Sequence, residues 1–212
     1  MLIAWHAWAR RSFPWRADGA SLYVKILVEV LLQRTRAETV ARFLPGFLDR
    51  FPSWAELAVS DERALGEALK PIGLWRRRAA PLHSLALAVV ESNESWPIDR
   101  ESLEALPAVG QYIANAILLF VHGQRQPLMD ASMARLLRRY FDLCPQKADI
   151  RHDPVLHETA YKVLAEGDAV ELNWAMLDLA AMVCLPRNPR CEDCPLKRTC
   201  RYRLHCKKMG TN

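Results

Sequence analysis

An all-α protein is predicted, and three observations predict it. Apolar residues recur at helical spacing through most of the chain. No stretch of useful length alternates apolar and polar residues as a half-buried strand does. Pro107 with Gly110, and then Gly123, break the middle of the chain where turns are needed, without a repeat or a low-complexity linker. The elements follow in order. Residues 22–34 form an apolar helix, and 37–51 carry Val40, Phe43, Leu44, Phe47 and Leu48 on one helical face. Residues 61–69 and 78–91 continue the pattern, and 100–106 make a short helix. Residues 112–121 form another apolar helix and 132–141 an amphipathic one. Helices at 157–164 and 174–183 complete the set.

With 212 residues the chain has room for one large domain or two small ones. Half of it is apolar and a quarter is charged, as in a soluble globular protein. A net charge of +5 and a pI near 9.0 favour a polyanionic partner. No membrane span is expected, because Glu29 interrupts the apolar run at 26–32. Residues 1–11 hold Trp, His and Arg where an export signal needs a long apolar stretch. A cytoplasmic, nucleoid-associated setting follows, in which cysteines stay reduced and a cluster of them means metal.

Such a cluster is present. Cys184, Cys191, Cys194 and Cys200 are spaced Cys-x6-Cys-x2-Cys-x5-Cys, a soft anionic donor set for iron or zinc. Arg187, Arg190, Lys197, Arg198, Arg201, Arg203, Lys207 and Lys208 crowd the same segment against Glu192 and Asp193. A metal-stapled loop of that charge suits a phosphate backbone, and Arg187 and Arg190 are the candidate contacts to it. Cys144 and Cys206 are left over. Zinc ribbons usually show two close cysteine pairs, and here Cys191 and Cys194 form the one such pair.

Two further motifs carry chemistry. Leu106-Pro107-Ala108-Val109-Gly110-Gln111-Tyr112 joins two helices through a tight turn. The helix N-terminus after such a turn presents backbone N–H groups and a positive dipole end to a phosphate. An ordinary helix–helix turn is the plainer reading. Asp130 stands just before the helix at 132–141, where an N-cap role alone would account for it.

In this order, hairpin, apolar helix, loop, Asp130 and cysteine loop, the chain resembles the endonuclease III / MutY superfamily, the helix-hairpin-helix GPD DNA glycosylases. Phe13-Pro14-Trp15-Arg16 is similar to the family's N-terminal Pro-Trp-Arg, and Glu29-Val30-Leu31-Leu32-Gln33-Arg34-Thr35 to its Glu-x-x-Leu-x-x-Thr helix end. Ile72-Gly73-Leu74 with Arg78-Ala79 resembles the start of the next helix, and 173–184 the helix leading into the cysteine loop. The resemblance covers nearly the whole chain. It implies a six-helix barrel domain with the hairpin at 18–128, and an iron–sulfur helical domain built from 1–17 and 129–212. DNA and a flipped base would lie between them. It also implies a [4Fe–4S] cluster on the four cysteines, a monomer, and double-stranded DNA with a mismatched or damaged base as partner. The family's usual hairpin is Leu-Pro-Gly-Val-Gly; Ala108 departs from it, and a positive φ there would carry strain.

The implied reaction is cleavage of the N-glycosidic bond of a flipped base. Its transition state has oxocarbenium character, so a carboxylate stabilises it electrostatically, and Asp130 occupies the family's Asp position. Lyase activity in the superfamily needs a Lys just after the hairpin; Tyr112 stands there and cannot form an imine, so a monofunctional enzyme is expected. Glu29, among apolar residues, is a candidate general acid, as in the adenine glycosylases of the family. The competing reading pairs it with Lys25 on a solvated helix face. Leu106, Ala108, Gly110 and Gln111 would hold a phosphate. Gln33 and Arg34 would wedge into the opened helix, Trp75 would stack on a base, and Arg76 and Arg78 (with Arg77) would meet phosphates. The plainer readings are a core aromatic for Trp75 and a solvated face for the arginines.

Within the superfamily the chain resembles most the MIG-type G/T-mismatch thymine glycosylases. Tyr112 matches their Tyr, Met129-Asp130-Ala131-Ser132 their Val-Asp-Ala-Asn with Ser for Asn, and 184–191 their cluster loop. Removal of thymine or uracil opposite guanine is therefore expected. Adenine excision opposite guanine or 8-oxoguanine is the alternative; those enzymes usually add a C-terminal domain, and this sequence ends soon after Cys200. A DNA-binding module without catalysis is the alternative of another class. It would need the hairpin and the cysteine loop but no carboxylate at Asp130.

Overall fold

The computed structural model describes residues 1–208; the side chains of residues 206–208 lie outside that description, so Cys206, Lys207 and Lys208 are not placed. All regular structure among the described residues is helical. The chain divides into two compact units, Ser12–Gln124 and Met1–Arg11 with Arg125–Asn212.

The first of these holds α2 (Leu22–Leu32), α3 (Ala37–Leu48), α4 (Trp54–Ala58), α5 (Glu62–Leu69), α6 (Trp75–Glu91), α7 (Arg100–Glu104) and α8 (Gln111–Phe120). Helix α2 is apolar almost all round and is buried accordingly from Ile26 to Leu31, packing on α3 and α8. Ser21 starts it by accepting the Val24 N–H at 3.3 Å. It ends two residues before the sequence pattern suggests: Gln33 leaves the helical region at ψ 110°, and Arg34 then turns to φ +58°. Asp61 and Asp99 cap α5 and α7 in the same way as Ser21. Helix α6 starts earlier than its apolar periodicity indicates, at Trp75, and carries Pro81 inside it. It packs on α4 and α5. The core gathers Leu27, Leu31, Leu44, Phe47, Trp54, Leu65, Leu85, Leu103 and Ile117, all fully buried.

The other unit holds α1 (Leu2–Ala9), α9 (Ala131–Phe141), α10 (Pro154–Leu164), α11 (Ala169–Met182) and α12 (Arg201–Lys208). Helix α11 packs on α1, α9 and α10, and α12 packs on α9. Arg11 ties the N-terminal segment to α11: its backbone N–H and Nε donate to Asp178 at 3.0 and 2.7 Å. Asp178 is fully buried, and His6 Nε2 stands 3.4 Å from the same carboxylate. No helix among the described residues is long and apolar enough to cross a membrane.

Candidate functional site

In the unit Ser12–Gln124 the hairpin is α7, a turn at residues 105–110, and α8. The Val109 N–H donates to the Leu106 carbonyl at 3.2 Å and closes the turn. Ala108 has φ +61°, the left-handed region in which glycine is favoured, so the departure seen in the sequence is met by strain and not by a shifted loop. Gly110 has an ordinary φ of −104°, offers no side-chain cap to α8, and leaves open space where a Cβ would stand. Backbone approach to the α8 N-terminus is therefore unobstructed. Asn115 is fully buried in α8 and accepts from Arg100 Nη2 at 2.5 Å, which ties the two hairpin helices together. Leu106, Gln111 and Tyr112 are half-buried, and Tyr112 and Leu106 pack against the core.

Glu29 is 4% exposed, so it does not lie on a solvated helix face. Gln33 and Arg34 are exposed at the end of α2. Gln33 Nε2 donates to the Ala108 carbonyl at 3.4 Å, which brings the α2 end and the hairpin turn together. Trp75 is half-buried: its ring lies against Gly66, where an added Cβ would come within 3.2 Å of it. The Arg76 guanidinium lies 4.4 Å from the ring centre and Lys70 Nζ 5.3 Å from it. The arginine run is not one solvated face. Arg76 and Arg77 are exposed, whereas Arg78 is partly buried and donates Nη2 to the Gln33 carbonyl and the Thr35 hydroxyl. Burial pulls the Arg78 pKa down.

In the other unit Asp130 caps α9. Its Oδ1 accepts the N–H groups of Ser132 and Met133 at 2.9 and 2.7 Å, and the Ser132 hydroxyl reaches both carboxylate oxygens at 2.7 Å. The extended segment before it is pinned by Asn173, which accepts the Leu128 N–H at 2.8 Å and donates to the Gln126 carbonyl at 3.0 Å. The Asp130 charge also helps hold Arg151 protonated, behind the hydrogen bonds that Arg151 donates to Asp149, which dominate there. These supports escape sequence reasoning, since Asn173 lies 47 residues from Gln126 and nothing local marks the pair.

Cys184, Cys191, Cys194 and Cys200 line one pocket. Burial pushes the Cys194 thiol up to about 11, and the neighbouring cysteines add to the rise. Burial raises Cys200 as well, with Cys184 adding to it. Four cysteine sulfurs gathered around one half-buried pocket are a soft donor set that a polycation would satisfy, and that fits an iron–sulfur cluster. No three His, Cys, Asp or Glu side chains among the described residues form a group for a single ion. Helix α9 holds the start of the loop. Arg135 donates to the Cys184 and Ala180 carbonyls, each at 3.0 Å, and Arg139 to the Leu185 and Pro186 carbonyls at 2.7 and 2.9 Å. Arg139 Nη1 also lies 3.6 Å from the Cys184 sulfur. Of the basic loop, Arg187, Arg190 and Arg198 are exposed. Lys197 and Arg203 turn to Glu192, at 2.5 Å to its carbonyl and 2.7 Å to its carboxylate. Cys144 is exposed and outside the pocket.

Residues 27–153 match the family model of the HhH-GPD superfamily base excision DNA repair proteins. The thymine-DNA glycosylase of Aeropyrum pernix is 34% identical over 95% of this chain and 92% of its own length. The thymine/uracil-DNA glycosylase of Methanothermobacter thermautotrophicus is 30% identical over 93% of this chain and 89% of its own. An adenine DNA glycosylase of Mycobacterium tuberculosis is also 34% identical, over 92% of this chain but 64% of its own length. The solved structure of a thermostable thymine-DNA glycosylase superposes with a TM-score of 0.84 at 28% identity, covering 97% of this chain and 94% of that one. With hairpin, Asp130 and family match all falling in one stretch, the chain belongs to the HhH-GPD superfamily of base excision DNA repair proteins.

Proposed function

We propose that this protein is a monofunctional thymine/uracil-DNA glycosylase that removes the base opposite guanine. The observation that carries the reading is its likeness, over more than nine-tenths of the chain, to thymine and thymine/uracil glycosylases that match along nearly their whole length. An adenine substrate is the second reading, favoured by the equal identity of one adenine glycosylase.

In the proposed mechanism the N-terminus of α8, behind Gly110, binds a DNA phosphate through backbone N–H groups and needs no base readout. Residues 33–35 and Trp75 support the opened duplex. Asp130 stabilises the developing oxocarbenium charge on the sugar and orients water; its two backbone donors and the Ser132 hydroxyl fix the carboxylate for that task. Glu29, buried in α2, supplies the proton that the departing base needs. Tyr112 packs at the start of α8 and forms no imine, so the abasic strand is not cut. Cys184, Cys191, Cys194 and Cys200 would hold a [4Fe–4S] cluster, whose four bonds would fix the loop carrying Arg187 and Arg190, the residues that supply its positive charge. The six-helix barrel and the iron–sulfur domain inferred from the family correspond in this reading to the two units.

Single-turnover assays on T/G, U/G, A/G and A/8-oxoguanine duplexes, with and without alkali, test the proposal. Cleavage of T/G and U/G that appears only after alkali is expected. Preference for A/8-oxoguanine would replace the substrate assignment, and a strong borohydride-trapped adduct would overturn the monofunctional one.

A further inference from the structure

One hydrogen-bonded chain in the unit Ser12–Gln124 runs from the first turn of α6 to the turn at 33–35 and on to the hairpin, and a non-glycine residue in the left-handed region stands at each of these places. Arg34 has φ +58°, Leu74, just before α6, has φ +54°, and Ala108 in the hairpin has φ +61°. An L side chain disfavours that conformation, so each turn holds it only if its surroundings impose it. Arg78, in the first turn of α6, supplies the constraint. Its Nη2 donates to the Gln33 carbonyl on one side of Arg34 and to the Thr35 hydroxyl, at 2.6 Å, on the other. Gln33 then reaches the Ala108 carbonyl at 3.4 Å. Both bonds come from one nitrogen, Nη2, whose two N–H directions are fixed in the guanidinium plane, whereas an ammonium at the end of a flexible stem rotates freely. Arg76 and Arg77, by contrast, are exposed.

We propose that Arg78 is a positioning residue, not a phosphate ligand: it locks the turn at 33–35 so that exposed Arg34 meets the DNA pre-organised, in register with the hairpin. The inference rests on the DNA glycosylase reading above. Pre-organisation spares the ordering cost at the moment of binding. Its benefit therefore falls on the opened, mismatched duplex that Arg34 engages and not on general attraction to DNA.

The test compares wild type, Arg78→Gln, Arg78→Lys and Thr35→Val. Binding is measured across a salt series on an undamaged duplex and on a T/G duplex whose thymidine carries a cleavage-blocking 2′-fluorine. Loss of a phosphate contact would flatten the log–log salt slope by about 0.9 and weaken both duplexes together. A positioning role leaves the slope unchanged and lowers the preference for T/G about tenfold. The same variants should lose fluorescence from a 2-aminopurine reporting the opened site. Arg78→Lys should resemble Arg78→Gln, and Thr35→Val, which removes one acceptor and no charge, should move the same way by a smaller factor. Full rescue by Arg78→Lys, a flattened slope, or an unchanged preference in Thr35→Val would each overturn the proposal. If Arg78→Gln fails to fold, Thr35→Val and Arg78→Lys decide it. A wild type that binds duplex DNA but excises no mismatched base would sink the glycosylase reading instead, and would do so without altering the salt slopes.

Discussion

Asp130 serves two roles with one carboxylate, as the cap of α9 and as the proposed catalytic anion, and a suitable substitution separates them. Asn caps a helix about as well as Asp, so Asp130→Asn should leave α9 and DNA affinity in place while removing the charge. Excision measured at single turnover is expected to fall by about 10² to 10³, the scale of losing one pre-organised electrostatic group. A variant that keeps near-normal excision would remove Asp130 from the chemistry. Ala108 offers a second residue-scale test. The left-handed backbone costs an alanine roughly 1–2 kcal/mol, and glycine returns part of that gain through a freer unfolded chain. Ala108→Gly should therefore stabilise the protein by about 0.5–1 kcal/mol in urea denaturation. Both positions could be picked out in the sequence, Asp130 before an amphipathic helix and Ala108 as a departure from the family hairpin. The backbone angle that makes Ala108 strained is a property of the folded turn.

At the scale of elements, the periodic helices and the short α7 were legible, and α1, α4 and α12 were not. Helix α1 is apolar on nearly all sides and α4 has five residues, so neither presents a readable stripe. Helix α12 is rich in charge and lacks an apolar face to read. Helix α10 begins at Pro154, three residues ahead of its periodic pattern, because Asp153 caps it. Asp153 also ties the loop after α9 to the start of α10: fully buried, it accepts the N–H groups of Gln146, Lys147, Val155 and Leu156. Burial pushes its pKa up, but those four donors outweigh burial and hold it below the ordinary 3.8. A carboxyl depressed in the folded state contributes stability that is present above its unfolded pKa and lost as pH falls through the folded one. Thermal midpoints of the wild type should thus drop below about pH 4, and Asp153→Asn should lower the neutral-pH midpoint while flattening that acid limb. A limb unchanged by the substitution would assign acid lability to other carboxylates.

At the scale of the whole molecule, both ends of the chain enter one unit, stapled by Arg11 on Asp178 across 167 residues. The cysteine loop belongs to that unit, with α9 carrying both Asp130 and the arginines that grip the loop. Purified protein is expected to show thiolate-to-iron absorbance and about four irons per chain. Cys194→Ser should lose iron and lower the melting temperature, whereas Cys144→Ser should change neither. A colourless protein with one zinc would overturn the cluster assignment. By itself the sequence determined the helical class, the superfamily, and the cysteines and Asp130 as the residues to watch. The helical class follows from apolar periodicity, which acts over a few neighbouring residues, whereas the superfamily, the cluster and the catalytic reading of Asp130 follow from the resemblance of short ordered motifs to the family. The tertiary structure decided which cations stay outside and which turn inward: Arg78 onto Gln33 and Thr35, Arg135 and Arg139 onto the Cys184 loop, Arg11 onto Asp178. A long side chain takes whichever acceptor the fold brings within about 3 Å. Here those acceptors lie 43 to 167 residues away, beyond the reach of any local pattern.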